Sequence, residues 1–228
     1  MLRTLLDRPV IAWTVARTRM ASMVDEVVVA TTNLEEDDPL AAWCAESGTH
    51  VFRGSELDVL DRVYRCASEY DPGIVIRVTG DVPLIDPALI DAVVERLDSD
   101  PAVQYSTNAE PISYPEGMTI EALPFSVLAI AWKEATSALH REHVTPYVRF
   151  HPENFKQSLV ISDDDLSPMR VTVDYPDDLI GVEMVLKRLE GAGKINDFTL
   201  DDIVEVWRDS PEIRDRLGNV ERDIARTR

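Results

Sequence analysis

The sequence is poor in cysteine and in positive charge, and it has no long apolar run. Its 228 residues include two cysteines, Cys44 and Cys66, in neither a CxxC pair nor any other metal-ligand spacing. That excludes a disulfide framework and a cysteine-built zinc site, and both thiols read as reduced core residues. Against 42 acidic side chains stand 23 Lys and Arg, giving a formal net charge of −19. A nucleic-acid-binding surface needs clustered Lys and Arg, so no nucleic-acid partner is expected. No stretch approaches the roughly 18 apolar residues of a membrane span, and Met1 to Pro9 mixes charges with its leucines where a signal peptide would be apolar. The expectation is a soluble, cytoplasmic protein with no membrane partner and a small ligand. An anionic ligand would need a metal, backbone N–H groups or a few placed basic residues.

Hydrophobic residues make up 45% of the chain, enough for a sizeable core. Strand and helix patterns alternate through the first two-thirds. Arg8 to Met20 reads as a helix, Asp25 to Ala30 as a buried strand, and Asp38 to Ser47 as a helix closed by Gly48. Thr49 to Phe52 reads as a short strand. Leu57 to Tyr70 reads as an amphipathic helix with Leu57, Leu60, Val63, Tyr64 and Ala67 on one face. Then come an Ile74 strand and a helix opened by Asp86-Pro87, favoured N-cap and first-turn residues. Such units imply an α/β fold with a mostly parallel sheet covered on both faces. Val103 to Ser106 and Met118 to Leu123 read as strands around a loop from Asn108 to Gly117. Arg170 to Asp174 reads as a strand, and Pro176 to Leu189 as a helix stopping at Gly191. Two short acidic helices close the chain and look peripheral.

The stretch Arg77-Val-Thr79-Gly80-Asp81-Val-Pro83-Leu84-Ile-Asp86 comes directly after the apolar run Gly73 to Ile76. A Gly-Asp turn at a strand end places a carboxylate at the sheet edge where open α/β sheets bind ligands. Asp174, also followed closely by a proline, makes a second such carboxylate, and the pair suits a Mg²⁺ bridging phosphates. Either aspartate could instead cap a turn, and Asp86 reads as a helix N-cap. Arg53-Gly54-Ser55 leaves a strand and enters a helix. Ser55 with Asp58 fits a capping box, and the same helix N-terminus could meet a nucleotide's polar atoms. Glu142-His143-Val-Thr145-Pro146-Tyr147 opens or interrupts a helix; His143 could act as an acid or base, or simply pack.

In order along the chain, Val27 to Thr32, Val51 to Glu56, Asp58 to Arg62, Arg77 to Asp86, Arg141 to Tyr147 and Arg170 to Asp174 resemble the cytidylyltransferase family. The resemblance is to the branch of spore-coat polysaccharide and acylneuraminate cytidylyltransferases, and it covers nearly all of Leu5 to Leu189. It implies a Rossmann-like three-layer α/β/α nucleotidyltransferase fold over residues 1–190, with 108–150 as a substrate or dimer insertion and 191–228 as a helical tail. It implies transfer of CMP from CTP to a sugar acid in surface polysaccharide biosynthesis, with Mg²⁺ held by Asp81 and Asp174. Arg53, Gly54, Ser55, Arg77, Gly80 and Asp81 would lie on the nucleotide side; Glu121, Glu142, His143 and Tyr147 would lie on the sugar side. A homodimer is implied as well.

Two departures from the family pattern bear on function. Where this branch has an acidic residue, the chain has Thr119 in Gly117-Met-Thr119-Ile-Glu121. The residues Met1 to Pro9 match the segment that comes after the family's first strand and triphosphate loop, so that strand is expected to be absent from the sheet. The alternative expectation is therefore a non-catalytic relative that binds a sugar or a partner; a third is a nucleotidyltransferase for another nucleotide.

Overall fold

The computed structural model describes residues 1–218. A short hairpin, β1 (Thr4–Leu5) and β2 (Arg8–Pro9), leads into α1 (Val10–Thr18). Next come β3 (Val28–Thr32), α2 (Asp38–Ser47), β4 (His50–Gly54), α3 (Val59–Tyr70), β5 (Ile74–Arg77) and α4 (Pro87–Asp98). The middle adds β6 (Tyr105–Thr107), β7 (Glu121–Pro124), α5 (Phe125–Glu134), α6 (Ala138–His143), α7 (Pro146–Arg149) and β8 (Gln157–Leu159). The chain closes with α8 (Pro176–Gly191), α9 (Leu200–Asp209) and α10 (Pro211–Leu217).

Local chemistry explains many of the boundaries. Gly48 ends α2 with φ of 65°, a conformation open to glycine without a Cβ penalty. Asp86 caps α4 by accepting from Ala88 N, and Thr199 and Asp202 form a reciprocal capping box on α9. Asp58 caps α3, so Leu57 falls outside that helix, 85% exposed, and does not join its apolar face. Val144, with φ of 73°, separates α6 from α7. Residues 170–174 do not form the expected strand: an isolated bridge pairs Arg170 with Glu116, and the next residues make single bonds to different neighbours.

The sheet is mixed, and it comes in two parts. β3 and β4 pair in parallel; β5, β7, β6 and β8 form the larger part, in that order. β7 runs antiparallel to both β5 and β6, while β6 and β8 are parallel. The sheet departs from the parallel pattern at β7, which comes after a long loop and returns antiparallel between β5 and β6. Among the described residues no ladder joins β3 to β5.

Helices cover both faces. On one side α4, α8, α9 and α10 bury Ile90, Val93, Val185, Leu186, Ile203 and Ile213 against Ile74, Ile76 and Ala122. On the other, α3, α5 and α7 bury Leu60, Leu128 and Val148 against Tyr105, Val75 and Leu123. Helix α1 packs Ile11 and Val15 onto Val29 and Val51 of the smaller sheet, and Val10 and Trp13 into the larger core. The closing helices are not peripheral: Phe198, Ile203, Ile213 and Leu217 are buried in the main core. Residues 219–228 lie outside the described residues. No described helix is long and apolar enough to cross a membrane.

Arg17 ties three of these parts together. It is 2% exposed; its Nε donates to Ile85 O at 2.6 Å, its Nη2 to Phe198 O at 2.8 Å, and its guanidinium lies over the Phe198 ring. Burial lowers its pKa to about 10. Arg17→Met keeps the apolar stem but strands two buried carbonyls, and we expect it to destabilise the fold by about 3 kcal/mol. A urea unfolding midpoint that does not fall would contradict this.

Candidate active site

The carboxyl end of β5 carries the chain into the Gly80–Asp81 turn. Thr14 Oγ1 of α1 donates to Gly80 O at 2.9 Å. A Cβ on Gly80 would crowd the flexible tip of the Met1 side chain and fall 3.2 Å from Ile11 Cδ1. The Asp81 carbonyl accepts from Val173 N at 2.9 Å and from Thr172 Oγ1 at 3.3 Å. Asp81 is thereby bound to the residues just ahead of Asp174, although no strand ladder is there to do it. Asp81 Oδ1 is buried and has no hydrogen-bond partner. A buried carboxylate oxygen without a donor is uncommon and unfavourable unless something else occupies it.

Asp174 is held by Arg170. The Arg170 guanidinium is almost wholly enclosed and reaches Glu116 at 2.5 Å, Asp174 at 2.5 Å and Asp178 at 3.0 Å. Burial works against its charge, but the three carboxylates prevail and raise its pKa. Burial likewise pushes the Asp178 carboxyl up, while hydrogen bonds from Arg170 and from the backbone N–H groups of Tyr175 and Asp174 outweigh it and leave it lowered. Arg170 thus fixes the segment that presents Asp174 without taking up its Oδ1.

The expected nucleotide segment sits at the end of β4. Gly54 packs against Arg62, whose Cγ would lie 2.9 Å from an added Cβ. Ser55 Oγ accepts from Asp58 N at 3.1 Å, as a capping residue, and Ser55 O accepts from Arg62 Nη1 at 2.5 Å. Arg53 turns back along β3, donating to Thr32 O and Leu34 O and pairing with Asp38, so its guanidinium is already engaged. Arg62 was not singled out from the sequence. Its Nε is buried and unpartnered beside Gly54 and Ser55, and the signal available was its place one helical turn into α3.

On the remaining side, Arg77 Nη1 donates to Glu121 Oε2 at 2.6 Å. Glu121, expected to meet a sugar, is 2% exposed, and its Oε1 accepts from Tyr105 OH and Thr145 Oγ1, each at 2.5 Å. Both carboxylate oxygens are therefore occupied within the protein. Burial raises its pKa, but the Arg77 charge and the hydroxyl donors prevail and lower it. Tyr147 also has a partner: its hydroxyl donates to Glu134 at 2.6 Å and its ring meets His140, His151 and Phe155. Glu142 is exposed and His143 half-buried at the end of α6. Arg141 donates to Asp58 Oδ2, linking α6 to the start of α3.

Asp81, the 172–174 segment, Arg77, the start of α3 and the α6–α7 junction therefore surround one edge of the sheet. Among the described residues no cluster of three or more His, Cys, Asp or Glu could hold a metal. Two carboxylates with phosphate oxygens and water could still do so.

The Asp178 shift has a stability consequence. Its folded pKa lies below the unfolded value of about 3.9, so its contribution is present above that value and is lost as the pH falls through the folded one. Asp178→Asn should lower stability at pH 7 and flatten the acid limb below about pH 4. Denaturant midpoints across that range test it; an unchanged acid limb would count against the Arg170–Asp178 pairing.

Residues 1–191 match the family described as cytidylyltransferase. The Bacillus subtilis spore coat polysaccharide biosynthesis protein SpsF is 32% identical over 192 residues, covering 82% of this chain and 77% of its own. A 3-deoxy-manno-octulosonate cytidylyltransferase of Syntrophotalea carbinolica is 32% identical over 111 residues, 49% of this chain and 44% of its own. Among solved structures, a cytidylyltransferase from Leptospira borgpetersenii serovar Hardjo-bovis superposes with a TM-score of 0.83 at 29% identity, covering 94% of this chain and 87% of that one. The match runs from residue 1 to the end of α8 and takes in every residue of the candidate site, and the chain belongs to the cytidylyltransferase family.

Proposed function

We propose that this protein transfers CMP from CTP to a sugar acid, releasing pyrophosphate, and that it serves surface polysaccharide biosynthesis in the cytoplasm. The observation that carries the reading is the unpartnered, buried Asp81 Oδ1, supported by the backbone bond from Val173 N to Asp81 O, which ties the residue before Asp174 to the Asp81 turn. An oxygen kept out of water with no donor fits a divalent cation. Asp81 and Asp174 would hold Mg²⁺, whose charge would offset that of the phosphates. The acceptor hydroxyl oxygen bonds to the α-phosphorus as the bond to the β-phosphate oxygen breaks, and its proton leaves to solvent. The protein's part is alignment and charge neutralisation, so no covalent intermediate is required.

Gly54 and Ser55 would border the nucleoside at the start of α3, with Arg62 behind them. His143 and Glu142 would border the acceptor. The relative named for 3-deoxy-manno-octulosonate supports an acidic sugar as acceptor, and the spore-coat relative supports a glycan destination.

Calorimetry of CTP with and without Mg²⁺, then pyrophosphate release with a panel of sugar acids, tests the reading. Metal-dependent CTP binding is expected. Asp81→Asn should lower turnover by about 10³-fold with little change in the unfolding midpoint, since Oδ1 has no partner in the protein to lose. Unchanged turnover would remove Asp81 from the metal site. A folded wild-type chain that binds no CTP would favour a non-catalytic sugar- or partner-binding role.

A further inference from the structure

Glu121 is almost wholly enclosed, with both carboxylate oxygens engaged, and it cannot touch a substrate. Its three donors come from three separate elements: Arg77 from β5, Tyr105 from β6 and Thr145 from the α6–α7 junction. The register puts Arg77 directly opposite Glu121 on the neighbouring antiparallel strand. This places the ion pair at the last rung of the β5–β7 ladder, where β5 leaves for the Asp81 turn.

Arg77 differs from its partner in exposure. Its side chain is 25% exposed, against 3% for Glu121. Only Nη1 is engaged; Nε and Nη2 make no hydrogen bond among the described residues. Strand alternation fixes the face on which they lie. Val75 and Leu123 pack with Val144 and Val148, whereas Ile74, Ile76 and Ala122 pack on the opposite side of the sheet. Arg77, two residues beyond Val75, therefore shares the face of the α6–α7 junction. Thr145, two residues beyond His143 in that junction, reaches the same carboxylate.

We infer that Glu121 is a positioning residue that holds Arg77 as the anchor for the acidic group of the acceptor. The inference rests on the proposed transfer to a sugar acid. A guanidinium held at one nitrogen by a fixed carboxylate leaves its other donors set in one plane, suited to a second, bidentate carboxylate. The arrangement selects for charge on the acceptor, because a second carboxylate meets donors that Glu121 already holds in one plane. It also reassigns Arg77 from the nucleotide side to the acceptor side.

The test uses the full chain and the sugar acid that gives the fastest wild-type pyrophosphate release, from a panel including 3-deoxy-manno-octulosonate. Glu121→Gln should raise the acceptor KM by about 10–100-fold and leave the CTP KM within about twofold. Arg77→Gln should do the same, and the double variant should be no worse than Arg77→Gln alone. A purely structural role for Glu121 would lower the unfolding midpoint without separating the two KM values. Equal changes in both KM values, or additive effects in the double variant, would overturn the inference. Should Glu121→Gln fail to fold, Arg77→Lys carries the test, since it keeps the charge but loses the fork. An unchanged acceptor KM in that variant would overturn the inference too. A wild-type chain inactive with every acid would instead remove the transfer reading itself, and this inference with it.

Discussion

The buried guanidinium of Arg170 is the contact on which the site depends. It satisfies three carboxylates from the loop before β7, the end of the 170–174 segment and the first turn of α8. Its backbone N–H also donates to Leu217 O, which brings α10 into the same junction. No sheet ladder holds residues 170–174, so charge does the work that strand pairing does elsewhere. Removing one partner from such a buried cluster leaves an uncompensated charge, a loss of about 3–5 kcal/mol.

Arginine serves this way at three places. Arg17 joins α1 to the loop before α4 and to the segment before α9, Arg77 joins β5 to β7, and Arg170 joins the 116, 174 and 178 regions. In a chain with 42 acidic and 23 basic side chains, the acidic surplus must lie largely in water, where repulsion is screened. The buried carboxylates of Glu121 and Asp178 are instead matched by a guanidinium, whose planar fork can serve several acceptors at once.

Much of the local structure was legible because its causes are local. The cap at Asp86 and the glycine stop at Gly48 depend on neighbours within a turn. The Gly-Asp turn at the end of β5 was readable for the same reason. Strand order was not, since the return of β7 between β5 and β6 is decided by contacts across the chain rather than by period or propensity. The site shows the same division. Residue type indicated Asp81 and Asp174, but an apolar run at 170–174 read as a strand when its partners offered only single bonds. Glu121 and Arg53 looked available because a sequence does not show that Tyr105, Thr145 and Arg77, or Thr32 and Asp38, already engage them.

Among the described residues the sheet is divided between β3 and β5, and helix packing spans the division. The β3–β4 pair is joined to the rest through the side chains of α1 and α3, not through main-chain hydrogen bonds. Sliding one packed face over another requires small rearrangements of side chains, whereas shifting a ladder means breaking its bonds together. Among the described residues the placement of the Gly54–Ser55 turn relative to β5 is therefore set by the packing of α1 and α3.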